Sequence, residues 1–235
     1  MVSVNLNSCK SIKELPEFHD ENRKFSVVAY LLEEISPRKL SLYKKLCPFV
    51  RIRNFNILTY PVMVQNLEEY RWKPLIIQNL LAEVSRIFYF DSSVIFQPNA
   101  TDSIDSIFHE ITKCGFKSFD KADHSIFFAT HPKMLEKFNY STDDAKTTLM
   151  TSTAALAIHL TRESVKITGK WVDCALDKTC MAPRSSSLHC KKTNSVMSEH
   201  GNCHQFDQSA LAILLSQCGS PHYQKTDLIK VKRES

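Results

Sequence analysis

Continuous apolar runs alternate along the chain with segments whose apolar residues recur at helical spacing. Residues 26–32 (SVVAYLL) and 87–90 (IFYF) are such runs, and each predicts a buried strand. Residues 75–85 have the helical spacing, and Pro74 suits the first turn of the helix that they predict. Strands that alternate with helices favour an α/β fold with an open, mostly parallel, doubly wound sheet.

Further elements follow from the same pattern: strands at 49–53 and 125–129, and helices at about 142–160, 162–175 and 207–217. Residues 1–23 are polar and predict a flexible N-terminal arm. We expect a single domain over 24–219, with a cysteine-stapled, helical C-terminal part, and a basic frayed tail over 220–235.

Composition excludes several classes of protein. The chain has 235 residues and a net charge of +5, and its basic residues are scattered, so we expect no nucleic-acid partner. Its four glycines form neither a dinucleotide-binding nor a P-loop motif. No apolar run approaches the roughly 18 residues of a membrane span, and the first 22 residues show no signal-peptide core.

Four of the eight cysteines cluster in the C-terminal part, with the spacing C-x5-C-x9-C-x12-C. This spacing lacks the short knuckle of common zinc sites, so it favours disulfides over a zinc site or reduced cysteines. Four cysteines allow three pairings. We expect Cys174–Cys180 or Cys190–Cys203 to be among the bridges.

Two sequons point in the same direction as the cysteines. Asn99-Ala100-Thr101 and Asn139-Tyr140-Ser141 both fit the acceptor motif for N-glycosylation. Disulfides and N-glycans both belong to oxidising compartments, so we expect a secretory lumen or the cell exterior.

Asp91 is the leading candidate for chemistry. It directly follows an apolar strand, at the strand end where open α/β sheets bind ligands. A carboxylate there can hold Mg²⁺ or Mn²⁺ on a diphosphate, with Ser93 adding a hydroxyl contact. The alternative is that Asp91 only caps a turn.

Two further pairs are candidates for binding and catalysis. Lys73 can neutralise a phosphate while Trp72 stacks on a ring, although a core tryptophan beside a solvated lysine fits the sequence too. His204 and Asp207 lie one helical turn apart and can share acid–base work in one cleft. The alternative is that Asp207 caps the N-terminus of a helix and that His204 is a surface residue.

Longer motifs carry a resemblance to a known family. They are YRWKPLIIQ at 70–78, FDSSVIF at 90–96, WVDCAL at 171–176, CMAP at 180–183 and CHQFDQSAL at 203–211. Over roughly residues 25–218 the chain resembles an uncharacterised family expanded in nematodes. That family is itself similar to the GT-A glycosyltransferases, the nucleotide-diphosphosugar transferase-like proteins.

The resemblance implies a secretory-pathway or Golgi protein that transfers a sugar from a nucleotide-diphosphate donor to a glycan or protein acceptor. Asp91 would take the place of the Asp-x-Asp metal motif, and His204 and Asp207 would lie near the donor or acceptor. This chain has one carboxylate where that motif has two, and by this resemblance we expect it to lack the first strand of the GT-A sheet. The alternative is a catalytically inactive glycan- or protein-binding module of the same fold.

Overall fold

A computed structural model describes residues 6–18, 25–111, 113–119, 121–219 and 223–232 of the chain. Its helices are α1 (Leu6–Lys13), α2 (Pro37–Leu46), α3 (Trp72–Leu81), α4 (Ile104–His109), α5 (Pro132–Lys137), α6 (Thr142–Thr147), α7 (Arg162–Leu176), α8 (Lys178–Met181) and α9 (Phe206–Cys218). Its strands are β1 (Val27–Leu31), β2 (Val50–Asn54), β3 (Arg86–Phe90), β4 (Val94–Phe96), β5 (Phe116–Ser118), β6 (Lys121–Ser125), β7 (Leu149–Thr151), β8 (Ala155–His159) and β9 (Ile229–Val231).

The N-terminal third contains a β–α–β unit. β1 and β2 pair in parallel, from Val27 opposite Val50 to Leu31 opposite Asn54. Parallel neighbours need a crossover connection, and α2 provides it. Pro37 begins α2, because the missing N–H of a proline costs nothing in a first turn.

The central sheet is antiparallel. β8 lies between β3 and β5 and pairs antiparallel with both. Two more described pairs, β4 with β9 and β6 with β7, are antiparallel as well. The structure is therefore a mixed α/β fold with open sheets, and the mostly parallel, doubly wound sheet predicted from the sequence is not confirmed.

One misread segment accounts for much of this difference. The predicted helix over 142–160 is wrong: the segment forms the short helix α6 and the strands β7 and β8. A short apolar run such as Ala155–Ile158 has no periodicity that separates a buried helix from a buried strand. Its four residues are fully buried in the middle of the sheet, so tertiary packing decides that they form a strand.

The predicted unit of α3 followed by β3 is confirmed. α3 buries Leu75, Ile76 and Ile77, and β3 pairs along its whole length with β8. α3 also packs on α7, whose predicted range of 162–175 agrees with the structure to within one residue. Arg71, just before α3, is buried and donates to the carbonyls of Ala175 and Asp177 at 2.6 and 3.1 Å, which caps the C-terminal end of α7.

α9 is the central helix of the largest hydrophobic core. Nine of its residues are buried, so it is apolar around most of its circumference, as expected of a helix enclosed by other elements. It ends at Gly219, whose φ of 71° gives the left-handed cap that stops a helix. The predicted range of 207–217 thus differs from the observed one by a single residue at each end.

The ends of the chain differ from their predictions within the described residues. The predicted arm over 1–23 contains α1, which buries Cys9 and Ile12 on one face, and Leu15, just after the helix, is buried too. The predicted tail over 220–235 contains β9, which pairs with β4, and Asp227 accepts two hydrogen bonds from Thr101 and one from Asp102. Residues 1–5, 19–24, 220–222 and 233–235 lie outside the described residues, and so do the parts of both predictions that fall on them.

All eight cysteines are paired. The bridges Cys174–Cys180 and Cys190–Cys203 are both present, and two more pairs were not predicted: Cys9–Cys47 and Cys114–Cys218. Cys114–Cys218 joins residues 104 positions apart, and closing so long a loop restricts the unfolded chain most. In the part of the chain that the structure describes, no helix is at once long and apolar enough to cross a membrane.

Candidate functional site

Four elements converge on the side chain of Lys73, in the first turn of α3. Asp91 directly follows β3, and its N–H donates to the carbonyl of Ala154 at 2.8 Å. Thr153 lies in the bend between β7 and β8, and Asp207 lies in the first turn of α9. We call Lys73, Asp91, Thr153 and Asp207 the lysine cluster.

The Lys73 ammonium is surrounded by oxygen atoms. Its Nζ lies 3.4 Å from both carboxylate oxygens of Asp91 and 3.3 Å from Oδ2 of Asp207. Thr153 adds its hydroxyl at 3.2 Å and its carbonyl at 3.4 Å. The Thr153 hydroxyl also donates to Asp207 at 2.8 Å, so each polar group of the cluster has a partner within it.

The lysine cluster is closed at one end and open at the other. The side chains of Lys73 and Asp207 are 2% and 4% exposed, whereas that of Asp91 is 31% exposed. Burial alone would lower the pKa of Lys73, but the nearby carboxylates of Asp207 and Asp91 outweigh it and raise that pKa. The lysine is therefore charged. Burial raises the pKa of Asp207, against the opposing effect of the Lys73 ammonium. Two carboxyl groups thus share one ammonium, and Asp91 is the one that reaches solvent.

Aromatic rings border the ammonium. Its Nζ lies 5.4, 5.8 and 5.4 Å from the ring centroids of Tyr70, Trp72 and Tyr89, within the range of cation–π attraction. The Tyr89 hydroxyl donates to Asp91 at 2.6 Å. Burial, together with Asp91, raises the pKa of Tyr89 well above its usual range. Tyr89 is thus a permanent donor that orients the Asp91 carboxylate.

This arrangement suits the recognition of hydroxyl groups. A fixed, partly exposed carboxylate accepts hydrogen bonds, and the partly exposed rings of Tyr70, Trp72 and Tyr89 offer apolar faces beside it. Sites that combine apolar walls with a few oriented polar groups are typical of small-ligand recognition.

The structure brings together Trp72, Lys73, Asp91 and Asp207, which the sequence analysis proposed separately. Lys73 was expected to neutralise a phosphate, but it is buried and already paired with two carboxylates. Trp72 is partly buried and donates to the carbonyl of Leu67 at 3.3 Å. The alternative role for Asp91 was a turn, and this turn is present: the Asp91 carbonyl accepts a hydrogen bond from the N–H of Val94.

Ser93 lies in the same turn and is partly exposed. Its carbonyl accepts from the N–H of Lys232 at 3.0 Å, next to β9. The backbone of Ser93 thus helps to hold the C-terminal strand against this turn.

His204 lies in a different environment from Asp207. It is fully buried; its Nδ1 accepts from the N–H of His131 at 3.1 Å, and its Nε2 lies 3.0 Å from the carbonyl of Met181. Burial lowers its pKa to about 3. Both ring nitrogens of this neutral imidazole are occupied within the protein, so in this arrangement His204 offers no group to a substrate.

The expectation of one shared cleft assumed a helix between the two residues. α9 begins only at Phe206, whose φ of 40° is left-handed, so the helical i, i+3 relation does not reach back to His204. His131, His200 and His204 instead form a histidine cluster, in which His200 Nε2 lies 3.0 Å from the carbonyl of Thr130.

Both sequon asparagines are exposed. Asn99 lies in the turn after β4, and Asn139 follows α5 with a left-handed φ of 48°. Asn139 also lines a surface cavity of about 440 Å³, together with Phe127, Tyr140 and Ser141. The accessibility that glycosylation requires is present at both asparagines.

A divalent cation at Asp91 does not fit beside the residues present. Such an ion would need the Asp91 and Asp207 oxygens at roughly 2.0–2.6 Å, and the Lys73 ammonium already occupies the space between them. Among the described residues, no three His, Cys, Asp or Glu side chains form a group suited to a metal ion.

Sequence reasoning missed Tyr89 and Thr153. Tyr89 stands two residues before Asp91, and side chains two apart on a strand share a face, so its role was accessible from the sequence. Thr153 lies in a segment that was predicted to be helical, and no local pattern connects it to Asp91.

Comparisons with known proteins add the following. Residues 3–78 match a family model described as a protein of unknown function (DUF1647), a range that includes Lys73 and ends before Asp91. No curated protein matches the chain. Among solved structures, the chain is similar to the apo form of mouse xyloside xylosyltransferase 1, with 9% sequence identity, 94% of this chain and 80% of that chain covered, and a TM-score of 0.49.

Proposed function

We propose that this protein is a glycosyltransferase-like module that binds a glycan at the lysine cluster. One observation carries the proposal: Asp91 is a partly exposed carboxylate, held by Lys73 and Tyr89 and bordered by aromatic rings. Asp91 would accept hydrogen bonds from sugar hydroxyls, and Trp72 and Tyr89 would contact the apolar C–H faces of the ring.

The charges at the site favour a neutral ligand over a nucleotide. A diphosphate requires cationic partners, yet Lys73 is surrounded by two carboxylates and is 2% exposed. The partly exposed Asp91 carboxylate would repel phosphate oxygens. A neutral saccharide meets no such repulsion.

Sugar transfer from a nucleotide-diphosphate donor to a glycan or protein acceptor is the second candidate. The position of Asp91, directly after a strand of the central sheet, favours it. So does the resemblance of the surrounding motifs to a family that is itself similar to GT-A glycosyltransferases. In this case Asp91 would accept the proton of the acceptor hydroxyl as a general base.

The proposed setting is the secretory pathway or the cell exterior. All eight cysteines form disulfides, which persist in oxidising compartments. The exposed asparagines of both sequons suit the same setting.

The test is a glycan array probed with secreted protein, followed by calorimetry with the glycans retained. Asp91→Asn keeps the shape of the side chain but removes its charge, and we expect it to lose at least tenfold in affinity. Asp105→Asn is the matched control, because Asp105 is also an aspartate in a salt bridge but is 79% exposed. Equal affinity of wild type and Asp91→Asn for a retained glycan would disprove the proposal.

Titration with UDP and GDP separates the second candidate from the first. Binding of either nucleotide that Asp91→Asn weakens would favour transfer over binding alone. An absence of nucleotide binding, together with retained glycan binding, would leave the non-catalytic module.

A further inference from the structure

The oxygen atoms of the lysine cluster are arranged as in a metal site, but the Lys73 ammonium lies where the metal ion would be. Five oxygen atoms from Asp91, Asp207 and Thr153 lie 3.2–3.4 Å from the Lys73 Nζ. Carboxylate, hydroxyl and carbonyl oxygens are the donor types that Mg²⁺ and Ca²⁺ prefer. Here they surround an ammonium group, which has only three N–H donors to share among them.

We propose that the Lys73 ammonium takes the place of a divalent cation between Asp91 and Asp207, so that this site binds its ligand without a metal. The inference rests on the proposed function for the identity of that ligand, a glycan. It changes the expectation from the sequence, in which Asp91 held Mn²⁺ or Mg²⁺.

The positions of the charges support this inference. A metal ion shared by the two carboxylates would lie within a few ångströms of Nζ, where a monovalent and a divalent cation repel strongly at low dielectric. Without the ammonium, two negative charges would remain, and one divalent cation would balance both.

The surroundings of Lys73 keep the ammonium in place. The side chain is 2% exposed, and the rings of Tyr70, Trp72 and Tyr89 lie around its Nζ. Moving the lysine out to admit a metal would break its contacts with both carboxylates, Thr153 and these rings. The ammonium is therefore a fixed part of the site.

The experiment titrates Mn²⁺ alone into the 235-residue protein and follows free Mn²⁺ by electron paramagnetic resonance. We expect the wild type to show no Mn²⁺ binding that depends on Asp91. Lys73→Met keeps much of the side-chain volume but removes the charge, and it should bind Mn²⁺ at least tenfold more tightly than the wild type. Adding Asp91→Asn to this variant should reverse the gain.

Lys117→Met is the matched control. Lys117 is also buried, but it contacts one carboxylate, that of Glu110 at 3.0 Å, so its loss should create no comparable Mn²⁺ site. A gain as large in Lys117→Met as in Lys73→Met would overturn the inference. A folded Lys73→Met protein that gains no affinity would do the same.

Should Lys73→Met fail to fold, the wild type and Asp91→Asn still decide the question. Wild-type Mn²⁺ binding that Asp91→Asn abolishes would show that the metal binds despite Lys73, against the inference. Equal Mn²⁺ titrations of the two proteins agree with it. No glycan or nucleotide enters these titrations, so their outcome is distinguishable from failure of the proposed function.

Discussion

The lysine cluster and the histidine cluster each bury a titratable group, which is charged in the first and neutral in the second. In the first, Lys73 remains charged because two carboxylates lie beside it, and one of them, Asp91, is partly open to solvent. In the second, His204 is neutral, and backbone groups occupy both of its ring nitrogens. Burial alone therefore does not indicate function: a partly exposed charge can meet a ligand, whereas a closed neutral ring holds backbone segments together.

Asp207→Asn should have the largest effect. Asp207 is the more deeply buried partner of Lys73, and the substitution removes its charge from the contacts with both Lys73 and the Thr153 hydroxyl. Hydrogen bonds to charged groups contribute about 1.5–3 kcal/mol each. We expect the free energy of unfolding, measured in urea, to fall by about 4 kcal/mol. The exposed control Asp105→Asn should change it by less than about 0.5 kcal/mol. A loss in Asp207→Asn as small as that of the control would show that the cluster does not stabilise the fold.

Acidification should have the second-largest effect on stability, through the histidine cluster. The pKa of His204 is depressed to about 3 in the folded protein, against about 6.5 when unfolded. The unfolded state therefore binds the proton first, and stability that is complete above pH 6.5 is lost as the pH falls toward 3. Protonation of His204 alone should lower the free energy of unfolding by about 3 kcal/mol between pH 7 and pH 4.

Urea titrations at pH 7, 5.5 and 4 measure this loss. His204→Gln should show a much smaller pH dependence than the wild type, whereas the exposed control His189→Gln should retain the wild-type dependence. Identical pH profiles for wild type and His204→Gln would show that His204 is not buried in neutral form.

His204→Gln at pH 7 should have a moderate effect. The glutamine amide can match the position of the His204 Nε2 but has no polar atom at that of the Nδ1, so it cannot serve both the Met181 carbonyl and the His131 N–H. One unsatisfied buried backbone group costs about 1–3 kcal/mol. We expect a loss of about 2 kcal/mol, with glycan affinity unchanged in the folded protein. If the variant had normal stability but no longer bound the glycan, His204 would have a role in ligand binding.

Asp91→Asn should change stability least. The side chain is 31% exposed, and partly exposed ion pairs contribute about 1 kcal/mol or less. Its thermal unfolding should therefore resemble that of the wild type while its glycan affinity falls. A large loss of stability with intact binding would reverse the roles that we assign to Asp91 and Asp207.

Part of the site could be predicted from the sequence, and part could not. Asp91 stood out because an apolar strand precedes it, and Tyr89 follows from the two-residue period of that strand. Asp207 reaches the cluster from α9, far along the chain, and Thr153 lies beside Asp91 because β8 pairs with β3. That pairing was hidden, since the residues of β8 were assigned to a helix.

The sequence by itself determined the elements with strong local signals: β1, α3, β3, α7 and α9. The cysteine spacing favoured disulfides but left their pairing open. Hydrophobic periodicity, proline and glycine positions and cysteine spacing act over short stretches of chain. Only the tertiary structure decided that the central sheet is antiparallel, that Lys73 lies between two carboxylates, and that His204 is separate from Asp207. These outcomes depend on burial and on charges brought together from distant segments, which no local pattern records.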